Sequence, residues 1–154
     1  MRTRVIVLAI AIFLLAITNF WLNGHTKSHE LKILFVPLDT RPITYTYPQE
    51  VAQRRNLHLL VPPLELMNEI NPDIEGLYQW LEANISKVDG AVLSTDTLIY
   101  GGLVPSRTHN LSLKELQTRF KRLRVLIKAH PNVKVYAYAS VMRLPQEGGS
   151  KEGR

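Results

Sequence analysis

No cysteine occurs among the 154 residues. Disulfides, thiolate zinc sites, cysteine nucleophiles and a lipid-modified cysteine are therefore excluded. No Gly-x-Gly-x-x-Gly, phosphate-loop or Gly-x-Ser-x-Gly pattern occurs either. Histidine is scattered rather than clustered. His25 and His29 lie in a polar stretch, His58 in a candidate strand, and His109 and His130 at helix edges. They share no metal-ligand spacing, so neither a metal nor a cofactor is expected. There is no short-period repeat, low-complexity tract or internal domain boundary.

What is present is enough for about one domain with a real core, since 45% of the residues are hydrophobic. The formal charge is +6. Part of the excess lies in Arg119-Phe120-Lys121-Arg122-Leu123-Arg124. Without an aromatic stacking platform or a known basic module, that run reads as a solvated helix face, and no nucleic-acid partner is expected.

The first segment stands apart. Arg2 and Arg4 precede an apolar run from Val5 to Leu22, broken by Thr18 and Asn19. A positive start before a long apolar stretch is an export signal or a signal anchor. Its 18 residues span roughly 27 Å as a helix, close to a bilayer core of about 30 Å. No small-x-small cleavage site is evident before Trp21, which favours an uncleaved anchor over a cleaved, secreted form. The arginines stay cytoplasmic, which puts the rest of the chain outside the membrane. Residues 1–30 thus read as anchor and linker, 31–145 as an α/β domain, and 146–154 as a polar tail.

Within 31–145 the pattern alternates between apolar strand and amphipathic helix. Strands are expected at Lys32–Val36, Leu57–Val61, Gly90–Ser94 and Val133–Ala139. A helix is expected from Thr46 to Pro48 onward, with Thr46 and Gln49 as a capping box. A second starts at Asn71-Pro72-Asp73, with Asn71 as the cap, and presents Ile74, Leu77, Leu81 and Ile85 on one face. A third follows the capping box Ser112–Glu115 and carries the stripe Leu113, Leu116, Phe120, Leu123 and Ile127. The strands are apolar along much of their length, as in a parallel sheet buried on both faces. The expected fold is α/β: about four parallel strands with flanking helices, part of a larger barrel-like or doubly wound fold. A (β/α)₈ barrel needs about 250 residues. No helix covers the last strand, so a fragment or truncated product is expected.

Polar residues mass at the strand ends, where parallel sheets keep their sites. The first strand leads to Asp39, Thr40 and Arg41, and the third to Asp96, Tyr100, Gly101-Gly102 and Arg107. The fourth leads to Ser140 and Arg143. Asp39 and Asp96 are the catalytic candidates, a carboxylate pair suited to acid/base work such as glycoside hydrolysis. Arg41, Tyr100, Arg107 and Arg143 are the substrate-binding candidates, and the guanidinium forks of the three arginines match carboxylate or phosphate. Each has a structural alternative. Asp39 before Thr-Arg-Pro also reads as an Asx turn, and Asp96 as a cap or an arginine partner. The glycine pair also reads as turn geometry, and the tyrosines as packing with bonded hydroxyls.

These segments together resemble a family. They are Ile33-Leu34-Phe35-Val36-Pro37-Leu38-Asp39-Thr40-Arg41-Pro42, Tyr47-Pro48, Leu59-Leu60-Val61-Pro62-Pro63, Thr95-Asp96 through Tyr100-Gly101-Gly102-Leu103-Val104 to Ser106-Arg107-Thr108, and Val141-Met142-Arg143-Leu144-Pro145. In that order they resemble the opening of domain-of-unknown-function family 4127, which occurs in longer bacterial proteins. The resemblance implies no activity and transfers no catalytic residue. The expected function is that of an exported, membrane-anchored hydrolase acting on a carbohydrate or cell-envelope substrate. The alternatives are a non-catalytic extracellular domain that binds an anionic glycan or phosphate, and an inactive remnant.

Overall fold

A computed structural model of the chain describes residues 30–68 and 70–141. The anchor, the linker up to His29, Arg143 and the polar tail lie outside the described residues. Among those described, no helix is long and apolar enough to cross a membrane.

Eleven elements follow one another. They are β1 (Lys32–Val36), α1 (Thr46–Arg54), β2 (His58–Leu60), a 3₁₀ turn (Leu64–Met67), α2 (Ile74–Asn84) and a second 3₁₀ turn (Ile85–Lys87). Then come β3 (Gly90–Ser94), α3 (Thr95–Tyr100), α4 (Leu103–Thr108), α5 (Leu113–Ala129) and β4 (Lys134–Tyr138). The strands form one all-parallel sheet in the order β2-β1-β3-β4. A barrel would pair β2 with β3. Here β1 takes that place, which is the order of a doubly wound sheet. The chain leaves β1 toward β2 on one side and β3 toward β4 on the other. The crevice between the carboxyl ends of β1 and β3 is therefore the topological switch point.

The core lies on one face of the sheet. Leu34 and Val36 of β1 and Ala91 and Leu93 of β3 pack against Leu77, Tyr78 and Leu81 of α2 and Leu123 and Leu126 of α5. Val135 joins them from β4. The right-handed crossover rule puts α1 on the other face, and its buried Ala52 lies outside this cluster. That second face is only partly covered. Phe35, Val92 and Tyr136 stand side by side across it, with Ser94 and Tyr138 in the next row.

Several local expectations shift. α2 is capped by Asp73, whose Oδ1 accepts the Gly76 amide at 2.9 Å, two residues beyond Asn71. Asp73 is the residue next to the first helical position, and its charged carboxylate also suits the positive end of the helix dipole. α1 starts after Tyr45, and the Gln49 side chain donates to the Tyr45 carbonyl, so Thr46 caps nothing. The Ser112–Glu115 capping box forms as read. Of the expected α5 stripe only Leu123 is buried, Leu113 and Phe120 are exposed, and Leu126, outside the stripe, is the other buried residue of the helix. The helix has 17 residues, about 25 Å, and the strands beneath it about 17 Å, so its first turns overhang the sheet. β4 is an edge strand, and all of its residues but Val135 are exposed instead of buried.

The segment from Thr95 to Thr108 is two short helices rather than a loop. Gly101 ends α3 at φ 102°, its amide on the carbonyls of Asp96 and Thr97. A Cβ at Gly101 would lie 2.4 Å from Pro72 Cγ. Left-handed backbone and contact with Pro72 together require glycine. Gly101→Ala should therefore cost about 1–3 kcal/mol in urea unfolding of the chain. An unchanged midpoint and slope would contradict this account of the helix end.

Candidate functional site

The polar residues at the switch point are held by a few buried bonds. Ser94, the last residue of β3, caps α3 and accepts the Thr97 amide at 3.2 Å. Thr97 Oγ1 lies 2.6 Å from the Pro37 carbonyl and 2.9 Å from that of Leu38. Its single proton is shared between two acceptors just past β1. Thr95 Oγ1 donates to the Tyr138 carbonyl at 2.9 Å. The first turn of α3 thus fastens the exits of β1, β3 and β4 together.

Asp39 sits on the β1 side, with a relative exposure of only 1%. Oδ1 accepts the Arg41 amide at 3.1 Å, an Asx turn, and also the Thr44 hydroxyl. Oδ2 accepts Arg41 Nε at 2.9 Å and Nη2 at 2.5 Å. Burial pushes this carboxyl up. Hydrogen bonds from Arg41 and Thr44, together with the Arg41 charge, outweigh burial and hold it below its ordinary 3.8. Asp39 is therefore an ionised, four-donor acceptor, the turn-forming alternative read from the sequence.

Asp96 sits on the β3 side, 6% exposed. Its Oδ2 accepts the Ser140 amide at 2.7 Å and the Ser140 hydroxyl at 2.9 Å. It neither caps α3 nor pairs with an arginine among the described residues. Ser140, just past β4, is a neighbour that the polar strand-end pattern did indicate.

The two carboxylates line different clefts. Asp39, Thr40 and Arg41 open onto a cleft of about 620 Å³ with Leu64, Ile70 and Val104 at its rim. Asp96, Tyr100 and Ser140 open onto one of about 510 Å³ walled by Ile99, Leu116 and Phe120. Tyr138 stands between the carboxylates. Its hydroxyl approaches the Val36 carbonyl at 3.4 Å, across β3. Burial pushes its pKa up, the charges of Asp39 and Asp96 add to that, and hydrogen bonds with Ser94 and the Leu38 backbone oppose it. The sequence reading missed Tyr138 because it lies within the strand. Its signal was the alternation Tyr136-Ala137-Tyr138.

The remaining candidates are placed as follows. Tyr100 packs against His109, with ring centroids 4.7 Å apart. Arg41 is tied to Asp39. Arg107, in the last turn of α4, makes no hydrogen bond or ion pair among the described residues. Arg143 lies outside them. In the basic run, Arg122 pairs with Glu75 and Glu82 and stacks on Tyr78, while Arg119 donates to the Ile99 carbonyl at 2.6 Å. Among the described residues no group of His, Cys, Asp and Glu could hold a metal ion.

Asp39 contributes stability above its unfolded pKa, near 3.8, and loses it as pH falls through its lower folded value. Asp39→Asn should cost about 1–3 kcal/mol at pH 7. The gap to wild type should close as acid unfolding is followed below pH 3.8. A gap independent of pH would show that the carboxylate charge plays no part.

No curated protein and no solved structure matches the chain. A family model does, over residues 33–154, under the description "Protein of unknown function (DUF4127)". That span covers most of the chain and contains every strand end described above, except the first residue of β1. The chain is a member of the DUF4127 family.

Proposed function

We propose that the chain is part of a hydrolase acting on a carbohydrate or cell-envelope substrate, with Asp96 as its acid/base group. The observation that carries this reading is a carboxylate that is almost wholly buried and yet lines an open cleft of about 510 Å³. Among the described residues Asp96 meets only Ser140 there, through Oδ2, which leaves Oδ1 to face a substrate. Asp39 lines the other cleft, and its carboxylate is already engaged by Arg41 and Thr44, so it braces the switch point and takes no part in the proton transfer. The strand order supports the location, because ligands of doubly wound sheets bind at the switch point.

The sequence before residue 23 supports a single-pass membrane anchor with the domain outside, or secretion if the segment is cleaved. Both place the site within reach of envelope glycans. A second reading is favoured by Arg107, which is partly exposed and without a partner among the described residues. In that reading the domain binds an anionic glycan or phosphate and catalyses nothing.

The full chain, purified in detergent, should hydrolyse one or more members of a panel of nitrophenyl glycosides and purified cell-wall polysaccharides. Asp96→Asn should lower kcat by about 100-fold or more. Asp39→Asn should have a smaller effect on kcat, alongside its cost in stability. Equal turnover by wild type and the Asp96 variant would sink the assignment. Salt-sensitive binding of polyphosphate without any turnover would favour the second reading.

A further inference from the structure

The apolar stripe on the first turns of α5 lacks the core that its pattern predicts. Leu113, Leu116, Gln117 and Phe120 recur at helical spacing and share one face. Leu113 is 70% exposed and Phe120 50% exposed. With Ile99 of α3, that face walls the cleft of about 510 Å³ that Asp96 lines. Pockets that take small molecules measure about 300–1,000 Å³ and are mostly apolar, with a few polar groups that fix orientation.

The hydroxyls of this cleft are largely committed. Thr95 Oγ1 donates to the Tyr138 carbonyl, Ser106 Oγ to the Leu103 carbonyl at 2.7 Å, and Ser140 Oγ to Asp96 Oδ2. A sugar ring pressed on these walls would lose hydrogen bonds to water and gain few in return. An apolar group loses none there, and it removes Leu113, Leu116 and Phe120 from water. Asp96 Oδ1 has the opposite need. A ligand that fills the cleft strips it of water, so a polar centre must meet it. Among the described residues the Gln117 amide and the Tyr100 hydroxyl have no hydrogen-bond partner, and so remain for sugar hydroxyls.

We infer that this cleft is an apolar subsite, and that the substrate of Asp96 is an amphiphile whose reacting bond joins a sugar to an alkyl group seated on Ile99, Leu116 and Phe120. The inference rests on reading Asp96 as the acid/base group, and it names the substrate class as an alkyl glycoside rather than a link between two sugars. Hydrolysis breaks the bond between the anomeric carbon and the alkyl oxygen. That oxygen leaves as an alcohol with the proton from Asp96. Water supplies the new hydroxyl of the sugar, and its second proton restores the carboxyl. Phe120 touches the alkyl group and no reacting atom, so it sets affinity.

Hexyl β-D-glucoside and methyl β-D-glucoside are the probes, titrated into the full chain in phosphatidylcholine nanodiscs and followed by the methyl resonances of Ile99 and Leu116. The hexyl glycoside should bind at least about tenfold more tightly, since each methylene taken from water is worth about fourfold. Phe120→Ala should weaken hexyl binding about tenfold and leave methyl binding unchanged, while Phe120→Leu stays within about threefold of wild type. Phe120 is half exposed, so both variants should keep the wild-type unfolding midpoint. Asp96→Asn should keep the hexyl preference. If it also keeps full turnover, the acid/base reading fails and the apolar subsite stands as a binding site. If it abolishes turnover while the two glycosides bind equally, the reading stands and the subsite is overturned. Absent hexyl binding, or a preference that Phe120→Ala leaves intact, would overturn it too. So would a preference seen only after removal of residues 142–154, or a wild-type dimer that Phe120→Ala converts to monomer, because the tail or a second copy would then own these walls.

Discussion

The hydroxyl of Thr97 is the contact on which the rest of the polar rim depends. It joins the first turn after β3 to the two carbonyls that end β1, at a sequence separation of 60 residues for Pro37. Carbonyls at the end of a central strand have no neighbour to complete the ladder, and burying them unpaired costs free energy. One threonine side chain answers for both exits. Because Ser94 in turn holds Thr97, the strand end, the helix cap and the neighbouring loop form a single unit. Asp39 lies on the β1 side of that unit, and Asp96 belongs to its first helical turn and opens onto a different cleft.

Much of the fold was legible in the sequence. β1 and β3 fall where the apolar runs Lys32–Val36 and Gly90–Ser94 placed them, because a strand buried on both faces leaves an uninterrupted signal. The Ser112–Glu115 box marked α5 for a reason equally local, since both partners lie within one turn. Caps with competing acceptors were harder. Asn71 and Asp73 both suit the position, and only the path of the chain past Pro72 decides between them. The overhang of α5 and the open side of β4 were not legible at all. Both depend on how long a helix is beside the strands it covers, a property of the assembled layers.

The candidate site was legible in outline. Polar residues past buried strands pointed to the right edge of the sheet, and Ser140 does meet Asp96. What the sequence could not convey is which polar atoms are already spoken for. Arg41 looks like a substrate clamp until its fork is seen on Asp39, and the glycine pair looks like a ligand cradle until Gly101 is seen ending a helix. Tyr138 was hidden for the opposite reason. A tyrosine inside an apolar strand reads as packing, and only the register places it beside Ser94.

The order β2-β1-β3-β4 also has a bearing on how the chain folds. The central pair, β1 and β3, cannot zip until the whole of α1, β2 and α2 has been gathered between them. The entropy of closing so long a loop is lost before any ladder bond repays it. Local helices such as α5 form early and cheaply by comparison, whereas the switch point is among the last features to assemble. The residues that define the site are thus also the ones whose contacts appear late, so their substitution should alter how fast the native state opens more than how fast it forms.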